Sequence, residues 1–94
     1  MNDGASPLYV ACQNGHVDVA RMLIEKDADV GQANNDGAAP LLMACCYGHV
    51  DVARLLIEEG ADITQGWNGR TPLDMAQQQG HAEIARLLEA RGRA

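Results

Sequence analysis

The sequence predicts an all-α repeat solenoid, three helix-turn-helix units joined by β-hairpin loops, and three observations carry the prediction. The string GHVDVARMLIEKDAD at 15–29 is written again at 48–62 as GHVDVARLLIEEGAD, changed only at Met22/Leu55, Lys26/Glu59 and Asp27/Gly60. A more diverged copy, GHAEIARLLEAR, runs over 80–91, so the Gly-His pairs step by 33 and then 32 residues. Turn dipeptides and prolines recur in the same phase: Asp3-Gly4, Asp36-Gly37 and Asn68-Gly69, then Pro7, Pro40 and Pro72. A period of this length marks a stacked array, in which each unit is too small to bury its own apolar face and hides it against the next.

Each unit opens with its turn dipeptide, suited to the positive φ angles of a tight hairpin. Ser6-Pro7-Leu8, Ala39-Pro40-Leu41 and Thr71-Pro72-Leu73 follow as N-cap positions with proline in the first helical turn, where its missing N–H costs nothing. Ala39 has no side-chain oxygen and cannot cap. First helices are predicted over about 7–14, 40–47 and 72–79, each ended by the glycine of a Gly-His pair. Second helices are predicted over about 17–26, 50–59 and 82–91. Along the middle one Val50, Ala53 and Ile57, widened by Val52, Leu55 and Leu56, form the buried stripe, and Asp51, Arg54, Glu58 and Glu59 lie outside it. Gly60 and Gly92 are expected to supply left-handed C-caps; Asp27 stands at the equivalent place in the first unit, at a small local cost.

Ninety-four residues make one domain, expected to span 1–94 with repeats at about 3–35, 36–67 and 68–94. There is no Phe, one Trp and two Tyr, yet hydrophobic residues reach 47%, so the core should be aliphatic and thin. The formal net charge of −6 is unevenly spread: −3 over 1–35, −4 over 36–67 and +1 over 68–94. That balance excludes a nucleic-acid backbone as partner, which requires a basic patch to release counterions. Cys12, Cys45 and Cys46 form no C-x-x-C pair. The equivalent Cys12 and Cys45 should stand roughly 10 Å apart in stacked helices, beyond disulfide reach. Free thiols and a reducing, cytoplasmic setting are expected. The start carries no signal-peptide pattern, and the longest apolar stretch, 41–47, is too short to cross a membrane, so no membrane partner is expected.

The order D-G-x-[ST]-P-L, A-x-x-x-G-H, an apolar helix and G-A-D, repeated over 3–92, resembles the ankyrin repeat. The resemblance implies a curved solenoid of β-turn and antiparallel helix-pair units that binds other proteins through hairpin tips and the concave surface of the first helices. The family's T-P-L-H tetrapeptide is never complete here, standing as Ser6-Pro7-Leu8-Tyr9, Ala39-Pro40-Leu41-Leu42 and Thr71-Pro72-Leu73-Asp74. The asparagine that often follows G-A-D-V, a site of side-chain hydroxylation, is replaced by Gly31 and Thr64, so that modification is not expected.

Comparing the copies separates buried from exposed positions. Ile24 and Ile57 become Glu89, Cys12 and Cys45 become Gln77, and Tyr9 and Leu42 become Asp74. The third unit has exchanged neighbour-facing apolar residues for polar ones, as a terminal cap requires. The first shows no such change, with Val17 and Val19 repeated as Val50 and Val52. Either Met1 begins a fragment of a longer array, or that face meets a second molecule, giving a homodimer through Val17 and Val19.

His16, His49 and His81 stand too far apart for shared metal coordination, and each follows a helix-ending glycine, where a structural hydrogen bond is expected; no metal or cofactor is expected. Cys46 and His49 lack an orienting third group and an oxyanion site, so the chain is expected not to be an enzyme. By the resemblance, partner contacts map to Asn2, Asp3, Ala5, Gln13 and Asn14, then Asn35, Asp36, Ala38, Cys46 and Tyr47, then Trp67, Asn68, Arg70, Gln78 and Gln79. Trp67, in a Gly66-Trp67-Asn68-Gly69 turn, either stands exposed as a contact hot spot or folds back over the neighbouring hairpin. The expected partner is a protein or peptide, with a basic segment facing the acidic first two units.

Overall fold

The computed structural model describes residues 6–33 and 37–92. Within them lie six helices: α1 (Pro7–Asn14), α2 (Val17–Glu25), α3 (Pro40–Tyr47), α4 (Val50–Glu58), α5 (Pro72–Gln78) and α6 (Ala82–Gly92). They form three antiparallel pairs stacked in chain order, the all-α solenoid that the repeat predicts. The row α1, α3, α5 packs more closely than the row α2, α4, α6, on the side that the resemblance implies to be concave.

Local chemistry explains the helix ends. The Ser6 hydroxyl accepts the Tyr9 N–H at 3.1 Å, and that of Thr71 accepts the Asp74 N–H at 3.1 Å. Asp74 returns the bond from its carboxylate to the Thr71 N–H at 3.1 Å, which completes a capping box. Ala39 makes no side-chain cap. Gly15 and Gly48 end α1 and α3 in the left-handed region at φ 76° and 79°, and Gly80 takes φ 77° one residue past the cap of α5. Each turn is closed by the following histidine, whose N–H bonds back to Ala11, Ala44 or Ala76.

Gly60 turns the chain after α4 at φ 89°, and Asp27 does so after α2 at φ 69°. Gly92 corrects the third expectation: it is the last residue of α6, not a left-handed cap beyond it. In the earlier turns an alanine, Ala28 or Ala61, packs against the core and bonds back to Leu23 or Leu56. The sequence puts Arg93, in place of these alanines, at that position. Of the hairpin tips only the third is fully described. Trp67 and Arg70 exchange backbone bonds of 2.8 and 3.1 Å around Asn68 (φ 59°) and Gly69 (φ 81°), the two positive φ values of a type I′ turn.

The core is aliphatic and one side chain thick, centred on Leu8, Leu41, Leu42, Val52, Leu56 and Ile84, with no buried polar or charged residue among those described. Burial follows place in the stack. Val52 is 1% exposed and Ile84 0%, whereas the equivalent Val19 is 43% exposed; Leu55 is 6% exposed and its counterpart Met22 is 49%. At the other end Asp74, Gln77 and Glu89 are exposed, as the exchange of apolar for polar residues in the third unit predicts.

Candidate functional site

The concave side is built from the C-terminal ends of the first helices. Left-handed glycines stop these helices at equivalent points, so Gln13-Asn14, Cys46-Tyr47 and Gln78-Gln79 fall into one row across the three units. Asn14, Tyr47, Gln78 and Gln79 are exposed, while Gln13 and Cys46 are half-buried. Tyr47 is 53% exposed, an aromatic ring left largely in solvent, and its centroid lies 6.4 Å from that of His49. From the third hairpin, Arg70 reaches down to donate from Nη1 to Oε1 of Gln78 at 3.0 Å, which ties the tip to the row.

Asn2, Asp3, Ala5, Asn35 and Asp36 lie outside the described residues. Ala38 is buried at 3% exposure and offers no side-chain surface, because the chain enters α3 beneath the hairpin there. Asn68 is exposed at the tip. Trp67 is half-buried and packs against the core, with its Cδ1 3.9 Å from the point a Cβ on Gly37 would occupy. The ring thus lies beside Gly37 and is partly exposed.

The histidines have structural duties. The ring of His49 lies over Gly15 and donates from Nε2 to the Gln13 carbonyl at 2.9 Å; the ring of His81 lies over Gly48 and donates to the Cys46 carbonyl at 3.2 Å. A carbonyl can only accept, so both rings carry their proton on Nε2. Nδ1 of His49 then faces Gly15, 2.6 Å from where a Cβ there would stand. Sequence spacing located these histidines but not their acceptors, which are contributed by the preceding unit.

Thiol chemistry is suppressed at two of three sites. Burial pushes Cys12 and Cys45 up to about 12, with the Cys46 thiol adding to the effect on Cys45. All three cysteines are free. Asp62 moves the other way: its Oδ1 accepts the Thr64 hydroxyl at 2.7 Å and the Thr64 N–H at 2.8 Å, which hold the carboxyl below its ordinary range. Thr64 thus fixes the turn after α4, as Gly31 does after α2 by donating to Asp29 at 2.9 Å. Among the described residues no group of three or more His, Cys, Asp or Glu could hold a metal ion, and no helix is long and apolar enough to cross a membrane.

What this arrangement offers, among the described residues, is a polar row with one exposed aromatic, Tyr47. The family model described as ankyrin repeats, in three copies, matches residues 1–66 and 27–93. Among curated proteins, none matches the sequence.

Proposed function

The chain belongs to the ankyrin repeat family, and from that premise we propose that it binds a protein or peptide through its hairpin tips and the concave row of its first helices. Ankyrin repeats are generally protein-protein interaction modules and generally not enzymes. The observation that carries the proposal is Tyr47, an aromatic 53% exposed in the middle of that row. Aromatic side chains bring large contact area and a polar tip at little entropic cost, which makes them common anchors at interfaces. Gln13, Asn14, Cys46, Gln78 and Gln79 flank the anchor, and Arg70 and Asn68 add polar groups at the tip. Asp3, Asn35, Asp36 and the outer edge of Trp67 complete the proposed surface. The charge of −7 over 1–67 favours a ligand with a basic segment, which would steer association more than it would add affinity. In this reading the chain acts by recognition without cofactor or catalysis, in the cytoplasm.

A displayed peptide library panned on the protein tests the proposal. Enriched sequences should carry basic residues, bind wild type and Arg21→Ala alike, and lose binding to Tyr47→Ala and Gln78→Ala. Arg21 lies on α2, away from the concave row, so equal loss with Arg21→Ala would reject the assignment. Trp67→Ala is a poorer probe because the indole also packs on the core.

A second reading is self-association through the first unit. Val10, Val19 and Met22 are 42%, 43% and 49% exposed, whereas Val52 and Leu55, equivalent to the last two, are nearly covered by the preceding unit. Val17, by contrast, is half-buried against the core, as Val50 is. Light scattering over a concentration series under reducing conditions should show mass above the monomer, abolished by Val19→Glu. Monomer at every concentration would reject this second reading.

A further inference from the structure

The two internal junctions share one contact, and the second junction adds another. A glycine at the end of a first helix leaves a flat seat; the histidine of the next unit lays its ring there and donates to the carbonyl two residues before that glycine. At the second junction, one turn into the second helix, Arg54 Nη2 also lies 3.6 Å from Glu83 of the next unit; at the first, Arg21 and Asp51 pair within their own helices, with Asp18 and Arg54 respectively. In sequence terms the donor side of the second junction is His-x-Glu and its acceptor side is a left-handed glycine, the carbonyl two residues before it and an arginine; the first junction shares the glycine, carbonyl and histidine.

Both ends of the stack carry unmatched halves of this set. At the tail, Gly80 has the same backbone as Gly15 and Gly48, with φ 77° against 76° and 79°, yet among the described residues no non-neighbouring atom stands within 4 Å of where its Cβ would be. The Gln78 carbonyl is the next acceptor in the series after Gln13 and Cys46. Arg86, equivalent to Arg54, is exposed and has no acidic partner among the described residues. Gly80 and Arg86 border an open groove of about 340 Å³, lined also by Gln77, His81, Ala82, Ala85 and Glu89. At the head, His16 and Asp18 are exposed, in the places that His49-Asp51 and His81-Glu83 hold at the internal junctions.

We propose that the groove beside Gly80 and Arg86 is a docking seat for the His16-Val17-Asp18 segment of a second copy of this chain, so that copies associate head to tail. The proposal rests on the second reading above and names what covers the first unit. The His16 ring would lie over Gly80 and donate to the Gln78 carbonyl, and Asp18 would turn from Arg21 of its own helix, 3.4 Å away, toward Arg86. Charge supports the pairing, since 1–35 carries −3 and 68–94 carries +1. Asp74, Gln77 and Glu89 replace the apolar residues that back the internal junctions, so the contact is weaker than those and reversible. Because the two faces differ, the association is open-ended and does not close at a dimer.

Charge reversal at the two exposed partners gives the test, read as weight-average mass by light scattering at low salt. Wild type should rise above monomer with concentration and fall back as salt is added. Asp18→Arg alone and Arg86→Asp alone should each stay near monomer mass. An equimolar mixture of the two should regain association, because every junction in it can again bring opposite charges together. If wild type stays monomeric, self-association fails altogether. If Arg86→Asp associates as wild type does, the first unit pairs with its own kind and the tail seat is rejected. A mixture no heavier than its components also rejects it. Unchanged helical content and melting of both variants, whose substitutions are at exposed positions, keep a folding defect from imitating the result.

Discussion

The first and second units are near copies in sequence and different in environment. Val19 and Val52 sit in the same heptapeptide, GHVDVAR, yet one is 43% exposed and the other 1%. His16 and His49 follow equivalent glycines, yet only His49 has a carbonyl of a preceding unit to bond. In a stacked array the energetic role of a residue is set by whether a neighbour lies in front of it or behind it, and an identical string can be core in one copy and surface in another.

The largest expected effect of that contrast is on apolar positions. Val52→Glu places an unpaired charge in the core that holds Leu56 and Ile84 and should cost more than about 4 kcal/mol, a large share of the roughly 5–15 kcal/mol by which a domain is stable. Val19→Glu, made at the equivalent site, should change the monomer's stability, read from urea unfolding, by no more than about 0.5 kcal/mol. Equal destabilisation of both would mean that the first unit is covered in the monomer.

The adjacent cysteines sharpen the contrast between facing a neighbour and facing the concave surface. With its pKa raised from 9.0 to about 12, the Cys12 or Cys45 thiol has about a thousandfold less thiolate than an ordinary one near pH 8, and thiolate is the reactive form. Iodoacetamide should therefore add one label to the native protein, at half-buried Cys46, and three once denaturant is present. Native labelling of Cys45 at the rate of Cys46 would show that the stack opens readily.

Gly48 and Gly80 share a left-handed backbone but differ in what lies over them. Alanine at either should cost about 1–2 kcal/mol for the conformation alone. At Gly48 its Cβ would also meet the His81 ring, 2.6 Å from Cε1, and displace the bond to Cys46. Gly48→Ala should therefore cost about 1–2 kcal/mol more than Gly80→Ala, and that excess should vanish in a His81→Ala background. An excess that persists would place its origin in the backbone.

The fold was legible because the repeat is nearly exact: the period, the prolines and the Gly-His pairs set every helix to within about a residue or two of its observed ends. The polar third face was legible for the same reason, since aligned copies expose an apolar-to-polar exchange. What a copy-by-copy reading misses is contact across units. It identified His49 as structural but not its bond to Gln13, and it paired Val17 with Val19 although only Val19 loses cover. It also placed Ala38 on the surface and expected a cap at Gly92, because alignment gives a position in the repeat but not what packs upon it. Asp74 read as a residue freed from burial; it is also half of a capping box, a second duty that a comparison with Tyr9 and Leu42 cannot reveal.

The smallest expected effect separates the middle helix pair from its flanks. Ser6 and Thr71 cap α1 and α5, while Ala39 leaves α3 uncapped, which from sequence alone predicts a gain of about 1 kcal/mol for Ala39→Thr. The structure lowers that figure. The Leu42 N–H that the new hydroxyl would take already bonds the Ala39 carbonyl at 3.1 Å, and Ala39 is only 6% exposed, so a threonine methyl must be accommodated in packed surroundings. Ala39→Ser supplies the hydroxyl without the methyl and should stabilise by about 0.5 kcal/mol, the low end for an N-cap. Ala39→Thr should exceed it only where the pocket yields. If serine leaves the denaturant midpoint unchanged, the backbone bond to Ala39 has already satisfied the end of α3, and the missing cap is no weakness of the middle unit.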